Sequence, residues 1–204
     1  MTVAPELFEP LLPAAVREGR DGARDRIMFA AYELFSTRGI RDVGTNELIE
    51  RSRVAKATFY RHFPSKDDLV LEFLQLRQTA WTSDQILADA SSRGATAEER
   101  LLAIFDVLTD WFHRPDFEAC PFVSILLEMG AGHPIGIACI GYLSEVRGHV
   151  RAMAEEAGLI RPEDFSRSWH ILMKGAIVAA SEGDLEAASR SQQMGQLLLG
   201  LHRS

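Results

Sequence analysis

The sequence predicts an all-α protein, and three observations carry that reading. Apolar residues recur at helical spacing, no segment shows the two-residue alternation of a half-buried strand, and Pro and Gly clusters cut the chain into pieces of helical length. No internal repeat is present. At 204 residues with 47% apolar content, the chain can bury one sizeable core or two small ones. A small head on a larger body is therefore a reasonable division.

Residues 1–20, with Pro5, Pro10, Pro13 and Gly19, read as a flexible arm. Asp21 is placed to cap a first helix that carries Ile27, Ala31, Leu34 and Phe35 on one face and closes at Gly39. Thr45 to Ser52 forms a second helix, and Lys56 to Phe63 a third that ends before Pro64. Ser65 and Asp68 have the spacing that satisfies free N–H groups at a helix start, ahead of the apolar stripe Leu69, Phe73, Leu76. This fourth helix is expected to run to about Ala90, with Ser91 to Gly94 breaking it and Thr96 to Glu99 opening the next through Phe112. Further punctuation at Pro115, Pro121, Gly130 to Pro134, Gly158, Pro162 and Gly183 leaves helices near 122–129, 135–157, 163–181 and 185–201.

Charge is unevenly spread. Residues 1–70 hold 11 Lys/Arg and 11 Asp/Glu, so the formal net charge of -7 arises wholly in residues 71–204. Within the neutral part, Arg51 to Lys66 carries five cations (Arg51, Arg53, Lys56, Arg61, Lys66) and no carboxylate. Local basicity against an acidic background marks a surface built to meet a polyanion. On a helix through this stretch Phe59 and Phe63 share one face, while Lys56, Tyr60 and His62 lie elsewhere, where cations and hydroxyls reach phosphates. That is what the recognition helix of a helix-turn-helix requires.

Other classes are disfavoured. Cys120 and Cys139 give no disulfide framework and suit a reducing compartment. The N-terminus, with Glu6 and Glu9 near its start and no basic segment, does not read as a secretory signal, and no run of about 18 apolar residues is present to span a membrane. A cytoplasmic protein is expected. No nucleophile–base pair stands out, and His113, His133, His149 and His170 lack tight metal-ligand spacing, so neither an enzyme nor a metal site nor a cofactor is expected.

Residues 24–76 resemble the N-terminal domain of the TetR family of transcriptional regulators. The resemblance rests on Phe35 to Gly39 closing the first helix, Thr45 opening the second, Ser52-Arg53-Val54-Ala55 as the turn, Lys56 to Phe63 as the recognition helix, and Ser65-Lys66 opening the fourth. It implies a three-helix head (residues 21–68) joined through the long fourth helix to a helical body (residues 69–204) for effector binding and dimerisation. It also implies that Thr45 touches phosphate, that Asn46 reaches a base edge, and that Lys56 and Ala57 enter the major groove to meet a guanine and a thymine methyl. Thr58, Tyr60, His62 and Lys66 match positions that hold the backbone, with Arg61 among them.

The chain departs from the family wording in two places. Arg53 stands where the turn usually has Gly, and if that position needs positive φ an Arg side chain costs about 1–2 kcal/mol. Arg53 also stands within reach of a phosphate. Gly44 replaces the usual Thr or Ser before the second helix, where Gly still caps tolerably.

In the body, Ala119-Cys120-Pro121-Phe122 resembles a G-C-P-F phrase of one branch of the family, which implies a small-molecule pocket followed by a dimer interface on the last two long helices. Phe105, Trp111, Phe112, Phe122, Leu126, Met129, Trp169 and Met173 are the pocket candidates, for an apolar or amphipathic effector. Such residues also fill ordinary cores. Trp169, Leu172, Met173, Gly175, Ala176, Ala179 and Ala180, extended by Met194, Leu197, Leu198 and Leu201, give an apolar surface for a second copy. The expected protein is a ligand-responsive regulator, a repressor as most members are, binding a palindromic operator as a homodimer. The alternatives are a helical effector-binding or interaction protein whose DNA binding is impaired through Arg53, and a metal- or redox-sensing regulator.

Overall fold

The computed structural model describes residues 22–79, 86–115 and 117–203. The expected arm (1–20), the cap Asp21 and the middle of the expected fourth helix lie outside these. Ten α-helices and no strand are present among the described residues: α1 (Ala23–Arg38), α2 (Thr45–Ser52), α3 (Lys56–His62), α4 (Lys66–Arg77), α5 (Ala88–Arg93), α6 (Ala97–Phe112), α7 (Pro121–Met129), α8 (Pro134–Glu156), α9 (Pro162–Ser181) and α10 (Ala187–His202). They form two compact units. The first joins the described residues up to 79 with Pro121–Ile140, and the second takes the remainder. This cut differs from the expected boundary at residue 68, because α4 packs within the first unit and a later segment returns to it.

Local signals explain most helix starts. Asp68 N–H donates to Ser65 Oγ at 3.1 Å and Ser65 N–H to Asp68 Oδ2 at 2.9 Å, a reciprocal cap repeated where Glu99 N–H meets Thr96 Oγ1 at 3.2 Å and Thr96 N–H meets Glu99 Oε2 at 3.0 Å. The fourth helix is not one α-helix to Ala90. It is α-helical to Arg77, opens into a wider π-type turn at Gln78 and Thr79, and the described chain resumes through a like turn at Ile86 and Leu87 into α5.

The first unit is built around aromatic residues. Ile27, Tyr32, Leu48, Phe59, Phe63, Leu69 and Phe73 are buried, and Phe73 meets Tyr32 edge-on at 5.5 Å and Phe35 at 5.6 Å. Polar ties hold the helices in place: Arg51 reaches the buried Glu33 at 2.6 Å, Arg26 Nε donates to Ser52 O, and Arg77, itself buried, donates to the Tyr32 hydroxyl. One tie comes from far along the chain. Glu128, near the end of α7, accepts the Ile40 N–H at 3.1 Å on Oε2 and the Arg41 N–H on Oε1. Gly39 makes room for it: its φ is +79°, and a Cβ there would sit 3.2 Å from Glu128 Oε2.

Arg53 closes α2 in the left-handed region, at φ 53° and ψ 42°. The strain that the sequence raised as a condition is therefore present in the fold. Arg53 N–H still donates to Glu50 O at 3.1 Å and Val54 N–H to Ile49 O at 3.4 Å, so the turn keeps the carbonyls of α2 bonded.

In the second unit Trp169 is fully buried, stacked on Phe165 at 5.1 Å and tilted against Phe105 at 5.1 Å. Helix α10 packs so closely on it that a Cβ at Gly195 would lie 2.9 Å from the indole. The end of α10 is tied to the turn before α9, where Ile160 N–H donates to His202 O at 2.7 Å and His202 Nδ1 donates to Ile160 O at 2.7 Å.

Two outcomes follow for stability. Arg53→Gly removes a left-handed penalty of about 1–2 kcal/mol and adds about 0.5–1 kcal/mol of glycine chain entropy, so urea unfolding should show a net gain of about 0.5–1 kcal/mol. A loss instead would mean that the guanidinium contributes more than the strain costs. Glu128→Ala leaves two backbone donors without their carboxylate and should cost about 1–3 kcal/mol, with faster hydrogen exchange at the Ile40 and Arg41 amides. Unchanged exchange there would show that the tie does not protect the loop.

Candidate nucleic-acid interface

Helix α3 has only seven residues, too short to persist in water by itself. It is held by Phe59 and Phe63, exposed to 0% and 2%, whose rings lie 6.3 Å apart, with the Arg24 guanidinium 5.5 Å over Phe63. Pinning one face in this way leaves the rest of the helix facing outward. Lys56, Ala57, Tyr60 and Arg61 are exposed, while Thr58 and His62 are half-buried at its margins. Asn46 on α2 is exposed, Thr45 beside it is half-buried, and Arg53 projects from the turn between the two helices.

The electrostatics of this face are one-signed. Three cations elsewhere in the head are paired with carboxylates, as Arg24–Glu72, Arg38–Glu47 and Arg51–Glu33. Among the described residues Arg53, Lys56 and Arg61 have no ion pair. The first turn of α3 carries no acidic residue, and neither α2 nor α3 is capped by a side chain, so their leading N–H groups remain open to an anion. Exposed cations, open amides and a tyrosine hydroxyl around α3 suit a phosphate backbone, and Lys56 and Ala57 at the leading end of α3 suit base edges.

Lys66 is arranged differently. Its ammonium donates to Ile40 O at 2.5 Å, so it braces the loop after α1 and keeps only its remaining N–H donors for a phosphate. The brace and the Glu128 tie meet on the same loop, one holding a carbonyl and the other two amides. Sequence reasoning missed Glu128, since a lone carboxylate 88 positions from its partner leaves no spacing signal.

The proposed effector residues divide between the units. Phe122 is buried in the first unit, with Leu126 and Met129 half-buried. Phe105, Trp111, Phe112, Trp169 and Met173 are buried in the second, packed on one another and on Phe117: Trp111 and Phe112 lie 5.0 and 5.1 Å from the Phe117 ring. There they act as core. Cys139 is buried and Cys120 half-buried, both as thiols rather than disulfides, and no group of three or more metal-binding side chains occurs among the described residues.

The family model described as "Bacterial regulatory proteins, tetR family" matches residues 27–73, from within α1 to within α4. Over 56 residues the chain is 41% identical to the HTH-type transcriptional activator FasR of Mycolicibacterium smegmatis, and over 58 residues 34% identical to the HTH-type transcriptional regulator QacR of Staphylococcus aureus. Each match takes in 28% of this chain, and they span 26% and 31% of those relatives. The fold is shared more widely. A TetR-family transcriptional regulator from Streptomyces coelicolor superposes with a TM-score of 0.80 at 24% identity, over 89% of this chain and 96% of that one. The reduced form of NemR from Escherichia coli gives 0.75 at 19% identity, over 85% and 94%. Residues 27–73 are thus similar to the N-terminal domain of the tetR family of bacterial regulatory proteins, and the described chain shares its fold with solved members.

Proposed function

We propose that this protein is a cytoplasmic transcriptional regulator that binds an operator as a homodimer and responds to a small-molecule effector through its second unit. The observation that carries the DNA reading is the unpaired cationic face of Arg53, Lys56 and Arg61 around a recognition helix anchored by Phe59 and Phe63. The left-handed Arg53 does not argue for impaired binding, since the turn keeps its hydrogen bonds and the guanidinium stays exposed. Because one named relative is an activator, the head fits either sign of regulation.

The homodimer reading rests on α9 and α10. Trp169, Met173, Ala176 and Ala180 of the expected interface stripe turn into the core, because α9 is apolar on two faces. Its other face forms a groove with α10, lined by Ile171, Leu172, Met194, Leu197, Leu198 and Leu201. Ile171 at 65%, Leu197 at 73% and Leu201 at 73% exposure are a poor surface for an isolated protomer and a good one for a second copy. No helix among the described residues is long and apolar enough to cross a membrane, so a bilayer-spanning use of this face does not arise.

Selection from genomic fragments should return an inverted repeat, since a two-fold dimer presents two recognition helices to successive major grooves. Lys56→Ala should relax discrimination at one base pair per half-site by about 1–3 kcal/mol. Tyr60→Phe and Arg61→Ala should weaken all sequences alike, the latter also reducing the salt slope by about 1 per half-site. An unchanged operator for Lys56→Ala with altered base preference for Arg61→Ala would show that α3 enters the groove in another register.

Light scattering at micromolar concentration should give twice the chain mass, and Leu197→Glu combined with Leu201→Glu should halve it while leaving helicity intact. A monomeric parent protein would remove the two-headed mechanism.

A further inference from the structure

In the second unit nearly every cation has a carboxylate. Arg93 holds Asp89 and Asp110, Arg100 holds Glu156, Arg167 holds Glu163, Arg190 holds Asp184 and Arg203 holds Glu98, while Arg151 and Arg161 lie within 4 Å of acidic partners. Arg147 and Lys174 depart from this pattern. Both are half-buried, neither has an ion pair among the described residues, and both bear on one buried imidazole, that of His170, exposed to 4%.

The geometry fixes the state of that imidazole. Arg147 Nη1 lies 3.5 Å from His170 Nδ1, and a guanidinium only donates, so Nδ1 is the acceptor and the ring proton sits on Nε2. Burial, then the charge of Lys174, then that of Arg147 push the His170 pKa down to about 3, so the ring is neutral at ordinary pH. Lys174 is one turn beyond His170 on α9, and Arg147 approaches from α8. Two like charges near a buried neutral ring are unfavourable without a counter-charge, and no carboxylate pairs with either of them among the described residues. A guanidinium fork, oriented by its contact with His170 Nδ1, and an ammonium one helical turn from that ring form a donor set that matches a carboxylate.

We propose that Arg147 and Lys174, with His170 orienting the guanidinium, form a carboxylate-recognition site, and that the effector is a small organic acid whose anionic end the two cations hold. The inference rests on the effector-responsive reading above and narrows its ligand from an apolar or amphipathic molecule to an acid.

The test uses the full chain with sodium phenylacetate and sodium hexanoate, each beside its neutral amide at constant ionic strength. The acids should raise the melting temperature and the amides should not, because only a ligand held by the folded state shifts it. Arg147→Gln and Lys174→Gln should each weaken acid binding by about tenfold in calorimetry. Equal effects of acid and amide, no effect of either, or acid binding retained in both variants would overturn the site. Without any ligand, Lys174→Gln should raise the melting temperature, since it removes an uncompensated charge; a lower value would mean that protein contacts already satisfy Lys174, again overturning it. Conversion of the variants from dimer to monomer would identify the missing anion as a second copy's carboxylate and reject the small-molecule ligand. Operator release, followed separately by fluorescence anisotropy, keeps the two readings apart. Acid binding without release supports the site and rejects the effector mechanism, whereas release by uncharged compounds with no acid binding rejects the site alone.

Discussion

Everything the head presents to solvent depends on the burial of two phenylalanines. A seven-residue helix has too few hydrogen bonds to offset its own nucleation, so α3 exists because Phe59 and Phe63 are withdrawn from water against α1 and its neighbours. Each buried ring contributes about 1.5–3 kcal/mol, more than the helix could raise from intrinsic propensity. The cations follow from that anchoring. With the apolar positions fixed inward, the intervening Lys56, Tyr60 and Arg61 have no direction left except outward, and Lys56 and Arg61 form no ion pair among the described residues.

Much of this was legible in the sequence, for identifiable reasons. Helix ends were visible wherever a short-range signal sets them, as at the paired caps Ser65/Asp68 and Thr96/Glu99 and at Pro121, Pro134 and Pro162, which open α7, α8 and α9. The aromatic spacing in α3 fixed which side chains point inward. Arg53 was legible as a conflict between residue and backbone, and the fold bears the conflict in full. What stayed hidden depends on distance or on competition. Glu128 and the amides of Ile40 and Arg41 are far apart in the chain, so no periodicity announces them. Lys66 was read from its neighbours as a phosphate contact, and its additional bond to the Ile40 carbonyl, brought close by folding, left no local signal. Trp169 and Met173 were candidates for a pocket or an interface, and sequence could not say that α9 has two apolar faces and that these residues belong to the inner one.

Charge organises the second unit as burial organises the first. Many of its carboxylates are distributed among arginines in short ion pairs along and between helices. Most of these pairs are exposed and each contributes little to stability. Against a background in which most arginines of the unit are paired, Arg147 and Lys174 beside His170 form a local excess of positive charge with no ion pair among the described residues.

The contact between Gly195 and Trp169 carries a mechanical consequence. Where helices touch through long flexible side chains, a small slide of one is absorbed by rotamer changes and dies out within a turn. Here the backbone of α10 rests on the indole of α9 with less than a methyl group's width between them, so the pair has no slack. A shift of α10 along α9 must move the ring or be refused. The junction therefore behaves as a rigid gear within the second unit, and the Trp169 indole, shielded from solvent, is a built-in gauge whose emission registers displacement of these two helices.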